Sequence, residues 1–271
     1  MTLRLSWSAL RVQEECREAG YHRRAGRGLK QDNQRVFFPG TVLDRVVRDW
    51  LTDGPEKDTM PDMVTSVVDR EWKNILDEGG SIAWKDARDK AKVIADVREA
   101  CVKIQPDLMR WVVPFEYQAD LKFRAPVMLP HPAGGLEQVE IIGAMDITVR
   151  DDKNRFMVHD VKMTRDNSYW RKVRGQLTYY DLAMFLMEGK YTSMATLMQP
   201  LCNEPMKMFR ITDEERTQMM ARVTAFARQI WMNDHTPRQD TTYCGYCFAR
   251  SACSKFAPVT QPGGRRVVEL F

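Results

Sequence analysis

Asp160 and Lys162 stand two residues apart in the apolar run Phe156-Met157-Val158-His159-Asp160-Val161-Lys162-Met163. Asp146 stands in an earlier run of the same kind, Ile141-Ile142-Gly143-Ala144-Met145-Asp146-Ile147. Alternate residues of a β-strand share a face, so Asp160 and Lys162 project together, and Asp146 joins them if its strand is the neighbour. Two carboxylates and an ammonium converging at the end of a sheet suit metal-assisted phosphodiester hydrolysis. The carboxylate oxygens hold a hard cation, which polarises the phosphate and acidifies a bound water. The ammonium orients that water or offsets developing negative charge. The plain alternative is a solvated cross-strand ion pair. The apolar flanks weigh against it, because a carboxylate in a buried strand needs a partner or a metal.

Further along, Gln176-Leu177-Thr178-Tyr179-Tyr180 places Gln176 and Tyr180 four apart, on one face of a helix. Six cysteines are present, and three of them form the C-x2-C-x5-C run Cys244, Cys247, Cys253. Thiolates packed this closely invite a metal and leave a fourth ligand to come from elsewhere. Spacing alone does not separate an iron–sulfur cluster from zinc.

Together these pieces resemble the PD-(D/E)XK nuclease superfamily: Gly143 to Asp146, then Asp160-Val161-Lys162, then the Q-x-x-x-Y helix of its RecB-type branch. The opening Ser6-Trp7-Ser8-Ala9-Leu10 to Cys16 helix is similar to that of the iron–sulfur members, which include the AddB subunit and the CRISPR-associated Cas-four family. The resemblance implies an α/β, restriction-endonuclease-like fold, a central mixed sheet flanked by helices. It implies Mg²⁺ or Mn²⁺ held by Asp44, Asp146, Asp160 and the Val161 carbonyl, with Lys162 positioning the water. Gln176 and Tyr180 then contact substrate or buttress the metal. It also implies a [4Fe–4S] cluster on Cys16, Cys244, Cys247 and Cys253, which ties the first helix to the last segment. Asp44 departs from the pattern, since Gly40-Thr41-Val42-Leu43-Asp44 carries Asp where those relatives carry His. Oxygen ligation survives that change, but affinity and Mn²⁺ preference shift. Cys101 and Cys202 read as free core thiols.

The implied activity is a DNA exonuclease acting on single strands or ends, serving CRISPR adaptation, phage replication or recombination. Homo-oligomers and recombination, replication or CRISPR partners are left open. Two other classes stay in view: a non-catalytic DNA-binding accessory subunit, which intact Asp146, Asp160 and Lys162 disfavour, and a zinc-stabilised interaction module, which the distant single Cys16 disfavours.

The net charge of +4 is too small to argue for nucleic acid, so its distribution matters more. Arg23 and Arg24 lie in a basic stretch from His22 to Lys30. Arg171, Lys172 and Arg174 interleave with Tyr169 and Trp170, as single-strand grooves combine cations with stacking rings. No apolar run approaches the roughly 20 residues of a membrane helix. With no signal-peptide shape at the start, a soluble protein is expected, in the cytoplasm or in the host cytoplasm if viral.

Apolar spacing predicts helices over residues 6–19, 40–52, 58–78 and 81–104, with a break at Gly79-Gly80-Ser81. Strands are expected from Trp111 to Leu121, near 138–149 and 155–163, from Thr192 to Leu201 and from Met208 to Ile211. Helices follow near 168–188 and from a Thr212 cap to about Asn233. The expected segments are N-terminal helices over 1–54, a helical insertion over 55–106, the nuclease core over 107–235 and a cluster-binding segment over 236–271.

Overall fold

The computed structural model describes residues 2–24, 37–82, 84, 86–234, 236–237 and 253–254. The element order is β1 (Leu3–Ser6), α1 (Trp7–Glu15), α2 (Arg17–Arg24), α3 (Phe38–Asp53), α4 (Met60–Asp77) and α5 (Ala87–Trp111). It continues with β2 (Glu116–Pro130), β3 (Leu136–Arg150), β4 (Phe156–Val161), α6 (Trp170–Glu188), β5 (Thr192–Met198), β6 (Met206–Phe209) and α7 (Asp213–Trp231). Among the described residues the strands form one six-stranded mixed sheet. The expected α/β fold with a central mixed sheet between helices is what the chain adopts.

The longest piece is the hairpin β2–β3, whose strands pair antiparallel from Glu116↔Arg150 to Pro130↔Leu136. Its tight turn needs positive φ at Gly134 and Gly135, which glycine supplies without strain. Since β2 fills one edge of β3, the other edge is shared. β1 lies parallel along Val139–Ile142, and β4 lies antiparallel along Ile147–Arg150. Between them, residues 143–146 face a fork. On its far side β4 runs parallel to β5, and β5 pairs antiparallel with β6. Every residue of β4 is buried, as expected of a strand covered on both faces.

Each face of the sheet has its own helical layer. On one side α3, α4 and α5 bury Phe38, Trp50, Met60, Ile104 and Leu108 against Ile147, Val149, Met157, Val161 and Met198. On the other, α1, α6 and α7 cover Met145, Val158, Ala195 and Leu197. The helices over 60–111 therefore share one core with α3 and the sheet, and α5 runs past residue 106 to Trp111.

The local differences from expectation have clear causes. The first helix is two: Cys16 has extended backbone and breaks α1 from α2, each packed in its own direction. The edge strand β1 is short, and its pairing to Val139 lies far along the chain, so periodicity could not reveal it. Trp111 to Val113 end α5 rather than begin a strand, because Val112 is buried in the helical layer.

Two polar anchors fix α6. Asp181 is fully buried, accepts from the Thr192 amide at 2.8 Å and hydroxyl at 2.6 Å, and takes Arg216 Nε at 2.8 Å. Arg174 pairs with Glu215, which also closes the capping box of α7 with Thr212. The Arg174 hydrogen bond holds the Glu215 carboxyl down at about 2. A depressed carboxyl pKa adds stability above its unfolded value, near 4.5, and loses it as pH falls toward 2. In chemical denaturation, Glu215→Gln is expected to be less stable than wild type at pH 7, and the gap should close between pH 4.5 and 2. An equal gap at both ends of that range would show that Glu215 acts through packing alone.

Candidate active site

At Asp160 the chain stays on β5, with the Lys162 amide donating to the Met198 carbonyl at 2.8 Å, but it leaves β3. The Val161 amide thereby loses its ladder partner. Asp146 Oδ2, at the mouth of the fork, accepts from it at 2.9 Å. The next residue sends its side chain back over the same spot. Lys162 Nζ lies 2.7 Å from Asp160 Oδ2, 3.6 Å from Asp146 Oδ2 and 3.3 Å from the Val161 carbonyl.

Helix α6 supplies the rest. Gln176 Nε2 donates to Asp160 Oδ1 at 3.0 Å and to the Tyr180 hydroxyl at 2.6 Å. One amide group therefore binds the carboxylate with one hydrogen and the phenol with the other. The neighbouring Tyr179 hydroxyl donates to the Leu5 carbonyl at 2.6 Å and plugs the fork from the β1 side. Trp7 packs so close to α6 at residue 175 that a Cβ on Gly175 would meet it at 2.6 Å. Glycine there lets α1 press on the helix one residue before Gln176.

Helix α3 brings Asp44 toward Asp146. Asp44 keeps a face in water, but its carboxyl sits in a recess crowded by protein. That burial, reinforced by the Asp146 charge, raises its pKa to about 6 against the pull of Arg48 and Lys162. Asp160 has no exposed surface, and burial raises its pKa, partly offset by Lys162. Burial pulls Lys162 down, but Asp160 and Asp146 together outweigh it, so the amine is held charged. Burial raises Tyr180 as well, so the phenol keeps its proton.

Asp44, Asp146, Asp160 and the Val161 carbonyl form an all-oxygen donor set, the kind a hard divalent cation takes. Asp160 Oδ2 is buried and has only the off-line approach of the Lys162 ammonium, with no aligned hydrogen-bond donor. A cation would satisfy that oxygen, so the residues fit such an ion. Among the described residues no three acidic, imidazole or thiol groups are yet gathered around one point. Lys162 Nζ lies between the two carboxylates, within ion-pair distance of both.

Sequence patterns missed two neighbours. Asp120 has a φ of 52° and lies opposite Asp146, between the pairs Ala119↔Ile147 and Leu121↔Met145. Arg48 on α3 donates to it at 2.7 Å. The only sequence sign was an acid in an apolar alternating run. His159 points to the opposite face, under α3–α5, where burial lowers its pKa to about 4.

The expected DNA-contacting residues separate. The Arg174 guanidinium is engaged by Glu215 and the Arg210 carbonyl. Trp170 is partly buried, stacks on Phe209 at 6.0 Å and packs against the core. Arg171 and Lys172 are exposed, lying 5.6 Å over Trp170 and 5.5 Å over Tyr169. Arg23 and Arg24 end α2, and their side chains lie outside the described residues. Glu116 is exposed and faces Arg150, away from the site.

Of the four expected cluster thiols, Cys244 and Cys247 lie outside the described residues. Cys16 sits buried at the α1–α2 break. Cys253 is buried against Glu18, with its Sγ 3.3 Å from Glu18 Oε2, and the next residue donates to the same carboxylate through the Ser254 amide and hydroxyl. The last described segment thus docks two residues beyond Cys16. Cys101 and Cys202 lie apart from this pair as buried thiols, and burial pushes Cys101 up to about 12.

No helix among the described residues is long and apolar enough to cross a membrane. No curated protein matches the chain. The solved structure titled "Crystal structure of SSO0001" superposes with a TM-score of 0.38 and 14% identity, over 81% of this chain and 97% of that one. The description of the PD-(D/E)XK nuclease superfamily matches residues 4–254, which include most of β1, the β3–β4 fork, the Gln176 helix and Cys253. With Asp146, Asp160 and Lys162 gathered at that fork, the chain belongs to the PD-(D/E)XK nuclease superfamily.

Proposed function

We propose that the protein is a Mg²⁺- or Mn²⁺-dependent deoxyribonuclease of the RecB type, an exonuclease on single strands or DNA ends, with a structural [4Fe–4S] cluster. The observation that carries the catalytic reading is the convergence of Asp160, Asp146 and Lys162 at the fork, with Asp160 Oδ2 lacking an aligned donor.

Asp146, Asp160, the Val161 carbonyl and Asp44 would hold the divalent ion. When bound, that ion polarises the phosphate and lowers the pKa of the attacking water. Lys162, held charged by its two carboxylates, is an electrostatic donor rather than a base. Its ammonium orients the water and meets the charge that builds on the phosphate oxygens. Gln176 keeps Asp160 oriented while Tyr180 holds the amide from behind. Attack forms a new P–O bond and breaks the bond to the leaving oxygen; the water's proton passes to solvent, and the leaving oxygen takes a proton from solvent. Asp44 tunes the affinity for the ion, since its carboxyl must be ionised to ligate.

The cluster reading rests on the resemblance of the cysteine pattern. It is supported by the docking of Cys253 and Ser254 on Glu18, beside Cys16. The cluster would be structural, closing the C-terminal segment onto the N-terminal helices.

End-labelled and circular single-stranded DNA, with either ion or with chelator, test the activity. Lys162→Ala and Asp160→Ala are expected to lose cleavage by about 10²-fold or more while DNA binding persists. Near-normal turnover in either would remove them from the active site. Asp44→Ala is expected to require more metal for half-maximal activity with an unchanged melting curve, and Asp44→His to shift preference toward Mn²⁺. A metal titration identical to wild type would make Asp44 an ordinary helix residue.

Anaerobically purified protein is expected to be brown, with iron and sulfide present. Serine at Cys16, Cys244, Cys247 or Cys253 should bleach it and lower its melting temperature, while serine at Cys101 or Cys202 should leave the colour intact. Zinc in place of iron would overturn the cluster reading and leave the nuclease site untouched.

A further inference from the structure

A cavity of about 390 Å³ opens beside the Asp160–Lys162 pair, between the start of α3, the loop after β4 and the start of α6. Lys162 forms one end of it, Thr164 and Arg165 line its side, and Phe37 and Tyr169 supply aromatic walls. Phe37 is 57% exposed, although its backbone is fixed: the Thr41 amide and hydroxyl donate to its carbonyl at 3.1 and 3.3 Å. An apolar ring left largely in water on a fixed backbone, at the mouth of a cavity, is available to stack on a partner. Tyr169 is half-buried with the Lys172 ammonium 5.5 Å over its ring. Arg165 is exposed and bridges to Asp96 and Glu99 of α5, which steadies this wall and neutralises the one acid in it.

Rings and cations together select a flat, anionic ligand. The position next to Lys162 selects the part of a nucleic acid adjoining the phosphate that the site would cut. A base inside a duplex already has both faces stacked, so only an unpaired base can lie on Phe37. Ligand cavities span roughly 300–1,000 Å³, and this one sits at the small end, suited to one nucleotide rather than a helix.

We propose that this cavity seats the unpaired nucleotide next to the scissile phosphate, with Phe37 as its stacking ring and Tyr169 and Arg165 as positioning residues. The inference rests on the nuclease reading and adds to it a single-stranded flank at the cut.

The test is binding of fluorescent single-stranded oligonucleotides, each with one abasic site at a successive position, to full-length protein carrying Asp160→Asn to block cleavage. Base–aromatic stacking of about 1–3 kcal/mol corresponds to roughly 5- to 150-fold in Kd. One abasic position is therefore expected to weaken binding by that factor. Adding Phe37→Ala should remove most of that position-specific penalty, and Phe37→Trp should preserve it, with circular dichroism unchanged. An abasic penalty that Phe37→Ala leaves unaltered at every position overturns the slot, even while wild-type protein still cuts DNA. Failure of the wild type to cut any DNA overturns the nuclease reading and the slot with it.

Discussion

The fork on the free edge of β3 is the constraint from which the site follows. A strand has two edges, and β2 takes one of them for its whole length. β1 and β4 must then divide the other, and the residues between their registers are left unpaired. Where β4 departs, the Val161 amide would be a buried donor with no acceptor, a loss of about 1–3 kcal/mol. Asp146 supplies the acceptor. The carboxylate that completes the sheet is thereby fixed in position for chemistry. Asn at 146 can still accept the Val161 amide, whereas Ala cannot, so the two substitutions separate its structural duty from its charge.

The charges at the fork are balanced against burial rather than neutralised. Three carboxylates share one ammonium, and burial pushes the pKa of Asp160 and Asp44 up while Lys162 and Arg48 pull against it. A like-charged cluster of this kind is costly to keep ionised in a low-dielectric recess. Gln176 offsets part of that cost with a neutral donor, and Tyr180 and Tyr179 shield the cluster from α6 without adding charge. Strands β3 and β4 and helices α3 and α6 carry these groups, and Lys162, just past β4, is held by its amide's bond to the Met198 carbonyl.

What the sequence made legible was local. A two-residue period puts Asp160 and Lys162 on one side, and a four-residue period puts Gln176 and Tyr180 on one helical face. Both follow from backbone geometry alone. The partner choices did not follow. Arg174 reads as a free cation among aromatics until Glu215, 41 residues on, claims it. Trp170 reads as an open platform until Phe209 covers it. Asp120 reads as a strand residue until its positive φ, within an otherwise regular register, sets it on Arg48 of α3. Phe37 carries no pattern at all, because its meaning lies in the loop after β4 that happens to face it.

The same distinction between local and distant contacts bears on the cysteine segment. A cluster tying Cys16 to Cys253 looks, from sequence, like a staple across most of the chain. The fold has already closed most of that distance: Glu14 pairs with Arg222, Gln13 with Gln229 and Arg17 with Asp234. What remains to be closed is the chain from Asp234 to Cys253, roughly 20 residues, at a cost of about 2–3 kcal/mol. Glu18 opposes that cost by accepting from the Ser254 amide, the Ser254 hydroxyl and the Cys253 thiol. A typical hydrogen bond contributes about 0.5–1.5 kcal/mol net, so these three contacts alone bring closure near balance. Metal–thiolate bonds would then decide the position of a poised segment, and would not need to gather distant ends of an unfolded chain.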